Sequence, residues 1–404
     1  MFRERFSSFS NLTSKSNAVN IVLVGNSFVW YFTVLFKLDE FLQQNPASSL
    51  VWVVHFSALI LSALAGAQFS KQLKRSKFLV FWMVVGVVSS LMMFALSSTS
   101  VLLVCLVSLF LGVSLGFGMP ACMSYFSESV AIESRGRVSG ITMLATGIGI
   151  VGFGFILESP LFLIGIVLGI WRLSSLFVFL WAKDNRRIGQ KANGSSFKQV
   201  LSQRSFILYF VPWLMFSFVN YLAAPLIRPN EFPGLTAVQL TFMAGSAVLG
   251  GFFADSVGRK RVSIAGFTML GLGAAVVGLF GSNVGLRSFV FYFNAILDGV
   301  AWGFLLVLFI PTLWGDLSYN SSSDKYYALG VTPFFVSNLL EKTVAQGIVL
   351  IFTSYAMFSF AAFFLFLAVL PLVYAPETLP EKAMRERELK IYVEKAQEIA
   401  QKHY

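Results

Sequence analysis

The chain has 404 residues, of which 56% are hydrophobic and only 12% charged, about half the charged share of a soluble domain. With 44 Phe, 32 Gly, two His and a mean hydropathy of +0.75, this is the composition of a protein solvated by lipid. It excludes a large soluble enzyme, a disordered chain and a disulfide scaffold. The formal charge of +11 is placed by topology rather than by a nucleic-acid surface, as its distribution shows.

A bilayer core of ~30 Å takes about 20 apolar residues per helix. Twelve such stretches are predicted, at 18–38, 48–70, 77–97, 101–124, 137–157, 161–182, 205–227, 233–254, 262–281, 288–312, 327–350 and 354–374. The alternating ten-residue segments of a β-barrel are not present. Residues 1–17 are polar and carry Arg3, Arg5 and Lys15, and the apolar run from Ala18 has no small-residue cleavage site, so no cleavable signal is expected. If the N-terminus is cytoplasmic, one face holds all but five of the 30 Lys and Arg. Lys37, Arg228 and Arg287 fall on the other face, and Arg172 and Lys342 within spans. This asymmetry places both termini in the cytoplasm of a multi-pass protein of the cell membrane. The basic charge is then topological, and no nucleic-acid partner is expected. Cys105 and Cys122 share the fourth span, ~25 Å apart along a helix, too far to bridge.

The longest polar interruption, 183–204, is read as a cytoplasmic linker between six-helix bundles at 1–182 and 205–375, with a cytoplasmic tail at 376–404 expected to be a short solvated helix carrying Leu389, Tyr392, Val393 and Ala396 along one stripe. The halves share a pattern. Gly66, Phe69 and Arg75 after the second span match Gly250, Phe253 and Arg259 after the eighth, at one constant offset. Parallel six-span repeats suggest a transporter that rocks one half against the other.

The segment Gly250-x-x-x-Ala254-Asp255-x-x-Gly258-Arg259-Lys260-Arg261 resembles the inner-loop signature of the major facilitator superfamily. Asp255 ends a helix, Gly258 permits a tight turn, and the three basic residues hold the loop at the inner face. A carboxylate there can cap a neighbouring helix and pair with an arginine, a contact that forms in one conformational state and breaks in the other. In the N-terminal copy Lys71 and Lys74 replace the Asp and the second Gly. Tyr125-Phe-Ser-Glu128, then Arg135-Gly136 and Gly140, resembles the sugar-porter branch at the entry to the fifth helix, as does Pro376-Glu377-Thr378 after the twelfth. Pseudo-symmetry brings Asp255 near that entry, with Arg135 and Arg137 as candidate partners. The C-terminal equivalent, Asp316 followed by Asp324-Lys325, lacks the Arg-Gly. Met143 stands where that branch carries a sugar-contacting Gln, and its Pro-Glu-Ser signature after the sixth helix is missing. The resemblance implies an all-α membrane fold, twelve transmembrane helices in two six-helix pseudo-repeats around a central cavity lined by the first, fourth, seventh and tenth.

Ionisable groups inside a membrane are costly and are functional candidates by default. Asp298 lies deep in the tenth span and is the leading proton or substrate group, with Asn294 four residues earlier on the same predicted face. Glu341, beside Lys342 in the eleventh span, is second. Arg172 is expected to have a structural partner, such as an Asp or Glu on a neighbour, and His55 to be a satisfied core histidine. Asn26, Trp30 and Tyr31 in the first span, with Trp213, Asn220 and Tyr221 in the seventh, are candidates for a polar-aromatic pocket. Asp39 and Glu40 are read as outer-surface groups.

Gly147-Ile-Gly149-Ile-Val-Gly152 fits a dinucleotide string but lies in an apolar span without a βαβ unit, so helix packing explains it better. There is no phosphate-binding GxxxxGK[ST] loop, no histidine-based metal site and no nucleophile–base constellation. No cofactor, no metal and no enzymatic activity are expected. The expected function is secondary transport of a small polar solute by alternating access, with protons as a candidate co-substrate, a sugar-like solute, the bilayer as surroundings and a monomeric state. The alternatives are a facilitator without proton coupling, or a sensor or lipid scramblase on the same scaffold.

Overall fold

The structure is a computed structural model. It describes residues 15–43, 48–70, 74–97, 100–181, 195–223, 232–318, 321–345 and 354–379. Helices α1 (Lys15–Leu42), α2 (Ser48–Phe69), α3 (Arg75–Leu91), α4 (Val101–Ser129), α5 (Arg135–Gly154) and α6 (Leu161–Trp181) form the N-terminal half. The short α7 (Phe197–Ser202) follows. Then come α8 (Arg204–Ala223), α9 (Leu235–Ser256), α10 (Arg259–Phe280), α11 (Arg287–Val307), α12 (Leu313–Leu317), α13 (Asp324–Leu340), α14 (Ser354–Leu367) and α15 (Val369–Tyr374). Ten described segments are long and apolar enough to cross a membrane, and a shorter apolar helix covers Arg204–Val219. The seventh and eleventh of the twelve expected stretches fall short of that length, and the adjoining residues 224–231 and 346–353 lie outside the described residues.

The helices pack where small residues let backbones approach, as lipid-embedded bundles require. A Cβ on Gly66 of α2 would strike the Phe117 backbone of α4, and one on Gly250 of α9 would meet Phe304 of α11. Thus the matched glycines seat matched helix pairs. Of the 147–152 string, Gly149 alone packs closely, since a Cβ there would stand 2.5 Å from Val29 Cγ2, while Gly147 and Gly152 face open space. The Gly-rich string is therefore one packing contact rather than three. Large apolar side chains such as Phe155, Phe177 and Phe289 point outward, as a lipid-facing surface requires.

The two halves meet along two seams, α5 against α9 and α2 against α13. The ends of α4, α9 and α12 and the starts of α3, α5, α10 and α13 converge on one side, called the basic face below. Two expectations are corrected there. The interval 183–204 is not polar linker throughout: Ser196 forms a capping box with Gln199 and starts α7, and Arg204 starts α8. Residues 182–194 lie outside the described residues. The start of the tail is also docked rather than solvated. Tyr209 donates to the Pro376 carbonyl at 2.7 Å, and Glu377 accepts from the backbone N–H groups of Arg259 and Lys260 at 2.9 and 3.2 Å. Glu377 thus caps α10, whose preceding Gly258 has φ 114° and supplies no side-chain cap. Glu377→Ala is expected to cost about 1 kcal/mol, read as a lowered thermal unfolding midpoint in detergent. The remaining tail, with the stripe of Leu389, Tyr392, Val393 and Ala396, lies outside the described residues.

Candidate functional site

The basic face carries a buried network of arginines and carboxylates that ties one half to the other. Asp255, at the end of α9, accepts from the backbone N–H groups of Gly136 and Arg137 at 2.9 and 2.8 Å, which open α5. It also meets Arg137 Nε at 3.3 Å and Arg259 Nη2 at 3.4 Å. The helix N-terminus offers unsatisfied donors and a partial positive charge, so a carboxylate there is held by geometry and by field. Arg135 does not pair with Asp255. Its guanidinium turns to Asp316 of α12 and to the Ser127 carbonyl. Arg259 Nε reaches Asp316 at 2.8 Å, and its Nη2 donates to the Ile132 carbonyl of the other half.

The N-terminal half holds a counterpart. Arg75 pairs with Glu128 of α4 and, at 2.8 Å, with Asp324 at the start of α13. Arg75 is matched to Arg259 by the constant offset of the repeat, Glu128 and Asp316 are each the penultimate residue of α4 and α12, and Asp324 opens α13 as Arg135 opens α5. The charge reversal at this last position completes the network: Arg135 crosses to Asp316, and Asp324 crosses back to Arg75. The missing Arg-Gly in the C-terminal half is therefore a compensated change. Lys71 lies outside the described residues, Lys74 is exposed, and Arg261 is exposed as well. Lys260 donates from Nζ to the Val373 carbonyl at 2.7 Å.

Glycines let the α5–α9 seam close this tightly. A Cβ on Gly136 would lie 2.6 Å from Asp255 Oδ1, and one on Gly140 would lie 2.6 Å from the Ala247 carbonyl. Gly140→Val is expected to wedge α5 from α9 and expose Ser139, which is fully buried and meets the Thr312 hydroxyl at 3.0 Å. Maleimide labelling of a Ser139→Cys reporter should speed up by at least about tenfold in the Gly140→Val background, the rate following the open population when opening is fast.

Deeper in the bundle, α11 is interrupted by a π-helical segment, Leu308–Thr312, that contains Pro311. Proline has no N–H for the carbonyl four residues back. The Thr312 hydroxyl donates to that carbonyl, Val307, at 2.7 Å, and Tyr327 and Trp314 donate to the carbonyls of Pro311 and Phe309. This broken helix sits against an aromatic wall. Trp213 of α8 stacks on Phe309 at 4.9 Å and on Phe334 of α13 at 6.4 Å. Phe334 touches Phe335, which meets Tyr31 of α1 edge-on across the halves at 6.2 Å, and Tyr31 stacks on His55 of α2. Three polar atoms in this wall are buried without a partner: Tyr31 Oη, His55 Nε2 and Trp213 Nε1. Buried polar groups are normally satisfied, so these three can orient a polar solute. His55 differs from a satisfied core histidine, because only its Nδ1 is engaged, 3.1 Å from the Ser108 carbonyl.

Other expected pocket residues go elsewhere. Asn26 donates to the Trp171 carbonyl of α6 at 2.6 Å, and Trp30 to the Ser90 hydroxyl of α3. Both stitch the N-terminal half together. Asn220 and Tyr221 lie on α8, with side chains outside the described residues. Asp298 accepts from Gln239 Nε2 of α9, whereas Asn294 Oδ1 faces Gly273 of α10, so the pair does not converge. Arg172 has no acidic partner among the described residues. Its Nη1 donates to Ser27 at 2.7 Å and its plane lies over Trp30 and Trp82, at 5.3 and 4.6 Å. Asp39 is more than a surface group. It pairs with Lys342 at 2.8 Å across the halves on the side opposite the basic face, with Glu341 3.8 Å from the same ammonium.

No protein-family model and no curated protein matches the sequence. Solved structures do match the fold. A proton:xylose symporter of the major facilitator superfamily, XylE, bound to 6-bromo-6-deoxy-D-glucose, superposes with a TM-score of 0.68 at 13% identity, covering 90% of this chain and 95% of the other. The human organic anion transporter MFSD10 superposes with a TM-score of 0.63 at 15% identity, covering 89% and 99%. With the seams, the Asp255 cap and the broken helix in place, the chain has the fold of the major facilitator superfamily transporters.

Proposed function

We propose that the chain is a secondary transporter that carries a small polar solute across the cell membrane by alternating access, with Asp298 as its proton carrier. In this reading twelve helices form two six-helix pseudo-repeats, 1–182 and 205–375, in a monomer with both termini cytoplasmic. The observation that carries it is the asymmetric bolting of the two halves. The basic face is closed by Asp255 on α5, by Arg135–Asp316, by Arg75–Asp324 and by Arg259 on the Ile132 carbonyl. On the opposite face the described ion pair across the halves is Lys342–Asp39, which is part-exposed. Exposed pairs contribute little and buried ones resist opening, so the solute path opens first away from the cytoplasm. The gating residues are Gly250, Asp255, Gly258, Arg259, Lys260, Arg261, Glu128, Arg135 and Gly136. The solute sits between Tyr31, His55 and Trp213, with Glu341 at the outer rim.

The sugar-porter fragments do not choose the solute. Glu128, Arg135 and Glu377 all belong to the basic face, away from the aromatic wall. The two superposed transporters carry a sugar and organic anions by name, so the fold does not choose either.

The test is internal pH in proteoliposomes as sugars, organic acids and amino acids are added outside. Solute-dependent acidification supports proton symport. Saturable uptake of a labelled solute with no pH change makes the protein a facilitator and Asp298 a structural partner of Gln239. Solute binding without turnover, or lipid scrambling alone, overturns the transport reading.

A further inference from the structure

Two charged side chains among the described residues lie near the middle of a spanning helix. Arg172 and Asp298 each sit eleven residues into their helices, α6 and α11, about 16 Å from the helix start at 1.5 Å per residue. They belong to opposite halves, and neither pairs with an opposite charge. Arg172 is fully buried. Its Nη1 binds the Ser27 hydroxyl and its faces rest on two indoles, while Nε and Nη2 have no hydrogen-bond partner. Gly86 of α3 makes room for the guanidinium, since a Cβ there would stand 2.5 Å from Nε. Asp298 is held by the neutral Gln239.

Arginine stays protonated in proteins, and an uncompensated buried charge is retained only where it serves something. Ser27 and Trp30 belong to α1, whose next residue, Tyr31, lines the aromatic wall. One helix thus separates the guanidinium from the solute path, a separation of ~10 Å. Ser27, Trp30 and Tyr31 are all buried, so solvent screens the charge weakly along that path.

We infer that the transported solute is a small monoanion, carried with one proton so that the loaded protein has no net interior charge. This rests on the transport reading above and names its substrate class. In the empty protein Arg172 and ionised Asp298 sum to zero. A proton on Asp298 leaves one positive charge, and a monoanion held in the positive field of Arg172 cancels it. Both the loaded and the empty protein then cross between states without working against the membrane potential.

The experiment uses wild-type protein in proteoliposomes with the potential clamped at 0 or −100 mV by potassium and valinomycin. The probes are D-gluconate and L-lactate, each set against a neutral relative, D-glucose and glycerol. The expected result is saturable, proton-linked uptake of the anions, with the same accumulation at both potentials and no response to the neutral solutes. Proton-linked uptake of D-glucose that accumulates about 50-fold more at −100 mV, the value for one net charge, would overturn the inference and leave the transport reading standing. Saturable uptake of none of the four would overturn the inference, and the wider panel of sugars, organic acids and amino acids then decides the transport reading. Arg172→Gln should raise KM for the anion about tenfold, the effect of one charge at ~10 Å and an effective dielectric near 20, and Arg172→Lys should restore it. Equal KM values in folded Arg172→Gln and wild type would contradict the inference. Should Arg172→Gln not fold, the potential dependence of the wild type still decides.

Discussion

Asp298→Asn is expected to abolish proton-driven accumulation while leaving the protein folded. The substitution keeps size and shape and keeps an Oδ1 that can accept from Gln239, so the α9–α11 contact survives. What disappears is the mid-helix carboxyl proposed to exchange the proton. A pH gradient of one unit is worth about 1.4 kcal/mol per proton, enough for about tenfold accumulation of a solute carried with one proton. The variant should accumulate solute to a ratio of one, and should still exchange labelled for unlabelled solute at equilibrium. Tenfold accumulation persisting in the variant would exclude Asp298 as the proton carrier.

Asp316→Ala should have the larger effect on conformation. Asp316 is buried between two arginines of opposite halves, Arg135 and Arg259. Removing it leaves both guanidiniums facing each other without their shared counter-charge. Breaking one partner of a buried ion pair costs ~3–5 kcal/mol, a shift of at least about 100-fold in favour of states in which the basic face is open. Labelling of Ser139→Cys reports it as a rate increase of that order. Arg135→Asp combined with Asp316→Arg, which restores opposite charges across the seam, should recover part of the protection. The double-mutant cycle isolates the pair from the general loss of packing. Protection unchanged in Asp316→Ala would mean that the glycine seam, not the charge network, holds the face closed.

Much of this architecture was legible in the sequence, because the bilayer imposes it. Span length and the offset between Gly66–Arg75 and Gly250–Arg259 follow from chain-local rules. Asp255 at a helix end, three residues before a glycine, was readable as a cap. Its particular partner was less so. Arg135 and Arg137 were equally placed by spacing, and only the fold shows that Arg135 turns away to Asp316. The opposite charges of Arg135 and Asp324 were the sequence signal for the crossed pairing, but the two residues stand seven and eight places after Glu128 and Asp316. It needed the folded seam to be interpreted.

The polar-aromatic site was half legible. Tyr31 and Trp213, singled out by type and span, fall in the aromatic wall proposed to hold the solute. Asn26 and Trp30 looked equivalent but are spent on α6 and α3, because a helix shows different faces to adjacent residues and the sequence does not say which face meets the other half. His55 joins through its unsatisfied Nε2, which no sequence pattern reports. Arg172 was expected to have a carboxylate and instead has two indole faces, an arrangement open to arginine because its guanidinium is planar and weakly hydrated. The π-helical break at Pro311 was hidden within an unbroken apolar run.

The two faces are proposed to open in alternation. Pulsed electron–electron distance measurements can follow both faces in the same preparation, with spin labels at Glu133 and Ser256 near the basic face and at Gln43 and Val344 opposite, all exposed positions. The expected distributions are reciprocal. In wild type the basic-face pair is short while the opposite pair includes a long component, and Asp316→Ala lengthens the first and shortens the second. Distances that lengthen together on both faces, or a second pair that ignores the state of the first, would contradict alternating access.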